Sequence, residues 1–182
     1  ATSSIRRKAQ WLAKMPGSTI ENIRGNINTR MKKMGESNWH AAIFAAAGLE
    51  RINLRPQNAI ELNWMLPAPA QGAIVVVCRE EDIPVRDRCS CLNDDHTAVC
   101  TRMEREFLRI LLGGCSTPIS AWARVVDGMI HMDGNIAMPD GSALVSVSQQ
   151  FTLSEAEGKG HQLGSDLLKK GGQQIIDQLK HA

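Results

Sequence analysis

The sequence predicts an α/β unit with a mostly parallel sheet, followed by a small α+β unit with a three-stranded antiparallel sheet. Three observations carry this. In residues 1–65 short apolar strand-like runs alternate with helical stretches, the pattern of parallel strands joined by crossover helices. Past Cys115 three strand-like runs follow one another through Asp127-Gly128 and Pro139-Asp140-Gly141, which are hairpin connections. Between the two patterns, Pro67, Pro69 and Gly72 mark a break. The boundaries fall at 1–66, 67–92 and 93–182. A chain of 182 residues, 43% hydrophobic and 22% charged, can bury a real core, which excludes disorder, collagen-like repeats and coiled coil.

Taken in order, Thr2-Ser3-Ser4 caps a helix from Ile5 to Met15, ended by Pro16-Gly17. A strand near Thr19–Ile23 leads through Arg24-Gly25-Asn26 into a second, basic helix reaching Met34. Ala41–Ala45 reads as a small buried strand, followed by a turn of helix through Ala47-Gly48-Leu49. Ala73–Cys78 is the strongest strand signal, and its unbroken apolar character predicts cover on both faces. It is far too short to span a bilayer, and no secretory signal pattern precedes it, so the reading is a cytoplasmic protein. A polar loop follows through Asn93, then a helix from Asp94 to Leu112 with Val99, Met103, Phe107 and Ile110 on one face, ended by Gly113-Gly114. Strands are expected over Ile119–Val126, Met129–Met138 and Ala143–Phe151. Ser154-Glu155-Ala156-Glu157 reads as a capping box opening a last helix, which Gly171-Gly172 interrupts.

Net charge is only +2, but it is unevenly spread. Between Ala1 and Met34, Glu21 alone opposes Arg6, Arg7, Lys8, Lys14, Arg24, Arg30, Lys32 and Lys33. That bias points to an anionic partner, and with aromatics at 4% and no Tyr, small anions fit better than stacked nucleic-acid bases. Arg6, Arg7, Arg24, Arg30 and Arg51 form the first constellation. Four of them sit where a strand gives way to a helix, the turns that line the ligand crevice of open α/β sheets. Ser3 and Ser4 add hydroxyl donors there. Guanidinium forks hold carboxylate or phosphate through paired hydrogen bonds, so several together suit a multiply charged ligand; a solvated basic face is the bland alternative.

Cys115, in Gly113-Gly114-Cys115-Ser116-Thr117-Pro118, is the second constellation. The glycines leave room for a bulky group beside the sulfur, while a place just past a helix C-terminus disfavours the thiolate. Such a thiol suits capture of a very reactive electrophile, or else is an inert half-buried turn residue. Cys89, Cys91, His96 and Cys100 lack standard zinc spacing, and no metal is expected. No paired carboxylate or Ser/His/Asp arrangement emerges.

These segments resemble the porphobilinogen deaminase (hydroxymethylbilane synthase) family. Ala1-Thr2-Ser3-Ser4-Ile5-Arg6-Arg7 is similar to GTSSLRR, Arg24-Gly25-Asn26-Ile27-Asn28-Thr29-Arg30 to RGNVxTR, and Ala47-Gly48-Leu49-Glu50-Arg51 to AGLxR. Pro67-Ala68-Pro69-Ala70-Gln71-Gly72-Ala73 is similar to PAxGQGA, and Leu111-Leu112-Gly113-Gly114-Cys115-Ser116-Thr117-Pro118 to LEGGCxxP. The resemblance implies an enzyme that condenses four porphobilinogen molecules into hydroxymethylbilane with release of ammonia, porphobilinogen and the growing oligopyrrole being its partners. It implies a dipyrromethane cofactor joined to Cys115 by a thioether. Ser4, Arg6, Arg7, Arg24, Gly48 and Gln71 fall on its cofactor-binding positions, Arg30 and Arg51 on its substrate-binding positions. The azafulvene left by deamination is an electrophile that an unactivated thiol captures.

Departures stand at Ala1, His40, Ala70 and Leu112, where the family usually has Gly, Asp, Gly and Glu. Of these, Ala70 bears on the hinge that positions Gln71. The family has three domains. Nothing here matches most of the first, which supplies the acid–base aspartate, nor the start of the second. The expectation is therefore a fragment without turnover of its own, with no catalytic residue in it. Full-length members are expected to be monomeric. In this chain, the 73–78 strand would lack its domain-one neighbours and be displaced or pair with a second copy. A chloroplast location stays open, since any transit peptide would precede Ala1. Two rivals remain: a non-catalytic small-anion-binding module of the periplasmic-binding-protein type, whose α/β architecture the first unit is expected to share, and a nucleic-acid binder. Neither needs the cysteine turn, and neither nucleic acid nor membrane is expected as a partner.

Overall fold

The computed structural model describes residues 1–111 and 117–180, and the chain divides into two compact units. The first comprises residues 1–65 with 117–118 and 137–144. Three extended segments, 1–3, 21–23 and 41–43, meet there. The Ala1 ammonium donates to the Ala41 carbonyl at 2.6 Å and the Ile43 N–H to the Ala1 carbonyl at 3.0 Å, the bridging pattern of parallel strands. On the other side the Thr2 N–H donates to the Glu21 carbonyl at 2.9 Å.

The strands expected over Thr19–Ile23 and Ala41–Ala45 do not form as regular strands. Side chains take ladder positions instead. The Ser3 hydroxyl donates to the Ile23 carbonyl at 2.8 Å and accepts the Ile23 N–H at 2.9 Å. The Arg7 guanidinium takes the Ile43 carbonyl at 3.2 Å.

Each segment feeds a helix. α1 (Ile5–Lys14) is capped by Ser4, whose hydroxyl accepts the Arg7 N–H, and α2 (Ile27–Glu36) by Asn26, which accepts the Thr29 N–H at 2.9 Å. α3 (Ala46–Arg51) starts after Ala45 without a side-chain cap. Ala9, Gln10, Ile23 and Leu49 are buried in this unit.

The second unit comprises residues 66–111, 119–136 and 145–180. The buried strand expected over Ala73–Cys78 is absent. The segment has no regular structure, and Ile74 and Val77 are 90% and 83% exposed. Apolar β-branched residues favour a strand only where a neighbouring strand supplies hydrogen bonds, and among the described residues none does. The loop expected up to Asn93 instead holds α4 (Ile83–Cys89), capped by Asp82 and carrying Pro84 in its first turn, then a short 3₁₀ turn over Ser90–Leu92.

α5 (Asp95–Ile110) is capped by Asp94, which accepts the Thr97 N–H at 2.7 Å, and it buries Cys100, Met103, Glu104 and Phe107. β1 (Ile119–Val126), β2 (Met129–Ala137) and β3 (Leu144–Thr152) lie in that order, with β1 and β2 antiparallel and Ala123 opposite Met132. Asp127 and Gly128 both have positive φ, 51° and 76°, as a tight hairpin requires.

The capping box joins Thr152 and Glu155 rather than Ser154 and Glu157, because the Glu155 carboxylate reaches back to the Thr152 N–H at 2.8 Å. α6 (Lys159–Leu167) follows, then a wider turn over Leu168–Gly172 in which Gly171 has φ 116°, then α7 (Gln173–Lys180). Gly160 lets α6 lie directly on α5, since a Cβ there would sit 2.1 Å from the Met103 carbonyl oxygen. No helix of the described residues is long and apolar enough to cross a membrane.

Candidate functional site

In the first unit the parallel pattern points the three extended segments the same way, so that each delivers the chain into a helix start. In open α/β sheets that end is where ligands bind. Arg6 and Arg7 lie in the first turn of α1, Arg24 just before the Asn26 cap, and Arg30 in the first turn of α2.

Arg6 and Arg7 are half-buried. Burial first, and then the charge of Arg30, press the Arg7 guanidinium below its ordinary value; burial and then Arg7 do the same to Arg6. A guanidinium stays charged at neutral pH even so. Arg7 therefore lies close enough to feel the charge of Arg30, and Arg6 close enough to feel that of Arg7. Arg30 is steadied by its Nε–H donating to the Gly25 carbonyl at 2.7 Å, and the Lys33 ammonium donates to the Arg24 carbonyl at 3.2 Å.

Three carboxylates of this unit are paired with other cations. Glu50 and Glu61 both pair with Arg55, at 2.6 and 2.5 Å, and Glu36 pairs with Lys32 at 3.7 Å. Among the described residues no carboxylate pairs with Arg7, Arg24, Arg30 or Arg51. A partly desolvated guanidinium such as that of Arg7, beside Arg30 and with no described carboxylate paired to either, is one that a carboxylate-bearing ligand stabilises.

The other expected site residues divide. Ser4 is in place at the start of α1, its oxygen engaged as the cap. The Ser3 hydroxyl is committed to Ile23 and is structural, contrary to the expectation of a ligand donor. Arg51 lies on the last turn of α3, not at a helix start, and is exposed. Gly48 has a packing reason: a Cβ there would come 2.9 Å from Ile27 Cδ1. Gln71 belongs to the second unit, where its side-chain oxygen accepts the Ala68 N–H at 3.0 Å. Cys115, with Gly113 and Gly114, lies outside the described residues. Among the described residues no group of three His, Cys, Asp or Glu could hold a metal, and Cys100 is buried in α5, where burial pushes its thiol up.

The sequence reading passed over Glu104. Its side chain is buried inside α5, accepting the Ala123 N–H at 2.7 Å and the Ala70 N–H. Burial pushes its carboxyl up, against the pull of those two amides. The available signal was a carboxylate set in the stripe of Cys100, Met103 and Phe107.

Residues 1–87 match the family model described as porphobilinogen deaminase, dipyromethane cofactor binding domain, and residues 98–169 match that of the porphobilinogen deaminase C-terminal domain. The chain is 37% identical over 180 residues to the porphobilinogen deaminase of Thiobacillus denitrificans, covering 98% of this chain and 59% of that protein. It is 37% identical to that of Thermus thermophilus, covering 98% and 60%, and 39% identical to that of Syntrophotalea carbinolica, covering 98% and 57%. The chain thus spans less than two thirds of the length of these relatives.

Proposed function

Because the chain belongs to the porphobilinogen deaminase family, we propose that it is part of a transferase of tetrapyrrole biosynthesis that condenses four porphobilinogen molecules into hydroxymethylbilane and releases ammonia. The observation that carries this reading is the half-buried guanidinium of Arg7, beside Arg30 and within reach of the charge on the equally half-buried Arg6. Every pyrrole of the substrate bears an acetate and a propionate, so an oligopyrrole presents many carboxylates to guanidinium forks.

In this reading Cys115 holds a dipyrromethane cofactor through a thioether, and Ser4, Arg6, Arg7, Arg24, Gly48 and Gln71 are cofactor-binding residues. Arg30 and Arg51 bind substrate. When bound, the cofactor supplies a covalent primer for the chain of pyrroles. The protein's own part is electrostatic and positional: the guanidinium groups neutralise and orient carboxylates, and the Ser4 hydroxyl hydrogen is available as a donor while its oxygen caps α1. The residues 1–65 unit is proposed as part of an α/β domain like that of periplasmic binding proteins, its parallel bridging at Ala1 being the supporting feature. A cytoplasmic location goes with the reading, and turnover requires an acid–base group from outside this chain. A simple anion-binding module is less favoured, because it leaves Cys115 without a role.

The test is the intact mass of the denatured chain, purified from cells that make porphobilinogen. An increment of two pyrrole units that disappears in Cys115→Ala supports the reading. An increment that survives the substitution, or an unmodified wild-type chain, overturns the assignment of Cys115.

A further inference from the structure

We propose that Glu104 is a positioning residue: its buried carboxylate locks the turn that presents Gln71. The turn is Ala68-Pro69-Ala70-Gln71, closed by the Gln71 N–H donating to the Ala68 carbonyl at 3.0 Å. Ala70 has φ 58°. Proline at the second position fixes a negative φ there, so a positive φ at the third makes this a type II turn. Glycine is the residue that geometry favours. An L-residue with a Cβ pays for it and gains by flipping the central peptide to the common type I form.

The central peptide is the one whose N–H belongs to Ala70, and that N–H is held by Glu104. In the flipped form it points to the opposite face of the turn and cannot reach the carboxylate. The hydrogen bond is therefore made in one of the two turn states only, and it selects that state.

The clamp is anchored at its other end. The second carboxylate oxygen takes the Ala123 N–H on β1, an edge strand of the sheet. Two residues earlier on the same edge, the Ala121 N–H donates to the Pro67 carbonyl at 3.2 Å. Residues 67–70 and Glu104 together cover the free edge of β1, so the turn is tied to the rigid sheet on both sides of Pro69. The Gln71 side chain closes on Ala68 within this same turn, its oxygen accepting the Ala68 N–H. The consequence for function rests on the assignment of Gln71 made above; the clamp itself does not.

The test uses the isotope-labelled 182-residue chain in solution at neutral pH. The wild-type chain should give the short contact between the Pro69 α-proton and the Ala70 amide proton that a type II turn produces and a type I turn does not. Glu104→Met, similar in size but unable to accept both amides, should lose that contact while the amide signals of β2 and β3 stay in place. Ala70 amide exchange should become about tenfold faster, the effect of one lost hydrogen bond. Glu104→Met combined with Ala70→Gly should recover the contact, since glycine needs no clamp to hold a positive φ.

A Glu104→Met chain that keeps the contact, or a double variant that fails to regain it, overturns the proposal. If Glu104→Met does not fold, the wild type decides alone: Ala70 must be protected from exchange comparably to Ala123, and an Ala70 amide as fast as in an unfolded peptide overturns the clamp. The mass of the same samples separates the two readings. A two-pyrrole adduct beside an unchanged turn removes the clamp and leaves the function. A turn present in the wild type and lost in Glu104→Met, with no adduct on the wild-type chain, does the reverse.

Discussion

Ser3 and Arg7 stand where backbone alone would stand in an ordinary parallel sheet. The Ser3 hydroxyl satisfies both the N–H and the carbonyl of Ile23, which is itself buried. Ser3→Ala removes both bonds and orphans a buried N–H. It should cost the chain about 2 kcal/mol, from two hydrogen bonds of about 1 kcal/mol each. A denaturant titration checks this, and an unchanged midpoint contradicts it. The excess of cations was legible in the sequence, because a run of cations with one acid is visible without any fold. The commitment of Ser3 was not: what lies across from a hydroxyl twenty residues away is a tertiary fact. Glu104 was half legible, as a charged residue on an apolar helical face, but its two amide partners lie 34 and 19 residues away.

At the scale of elements, helices read better than strands, for the same reason. Ser4, Asn26 and Asp94 cap helices that begin within a few residues of where the sequence places them, since a cap is a local signal. The helix over Ile83–Cys89 was equally readable from Asp82 and Pro84, and was passed over as polar loop. The three hairpin strands were legible because turn residues and alternation lie side by side in sequence. Ala73–Cys78 failed as a strand because a strand needs a partner, which its own residues do not encode. Thr19–Ile23 and Ala41–Ala45 meet residues 1–3 through only a few backbone bonds, with the Ser3 and Arg7 side chains taking the other ladder positions.

The sheet of the second unit carries a testable acid sensitivity. Asp133 on β2 accepts from Arg124 on β1 at 2.7 Å and from Ser148 on β3 at 2.6 Å, joining all three strands. Burial pushes its carboxyl up, but the Ser148 hydroxyl and Arg124 outweigh burial and hold it below the ordinary value of 3.8. A carboxyl depressed in the folded state contributes stability that is present above about pH 4 and lost as pH falls through the folded value. The thermal midpoint of the wild type should therefore fall on acidification below about pH 4 more steeply than that of Asp133→Asn. Parallel curves contradict the tie.

At the scale of the whole molecule, the residues furthest from a settled environment are Ile74, Val75, Val76 and Val77, all exposed. A contiguous exposed apolar run marks a surface that binds something. We propose that the chain by itself self-associates through this segment. Sedimentation velocity should show concentration-dependent association that Val77→Asp weakens, and a strictly monomeric wild type contradicts it.

The central claim is that the arginine-bearing unit receives a pyrrole polycarboxylate. The most direct measurement is a calorimetric titration of the chain with porphobilinogen, beside Arg7→Leu and Arg30→Leu. The account predicts saturable binding that each substitution weakens by about tenfold or more, the worth of a charge-assisted hydrogen bond. No binding by the wild type, or equal affinity in all three chains, contradicts it.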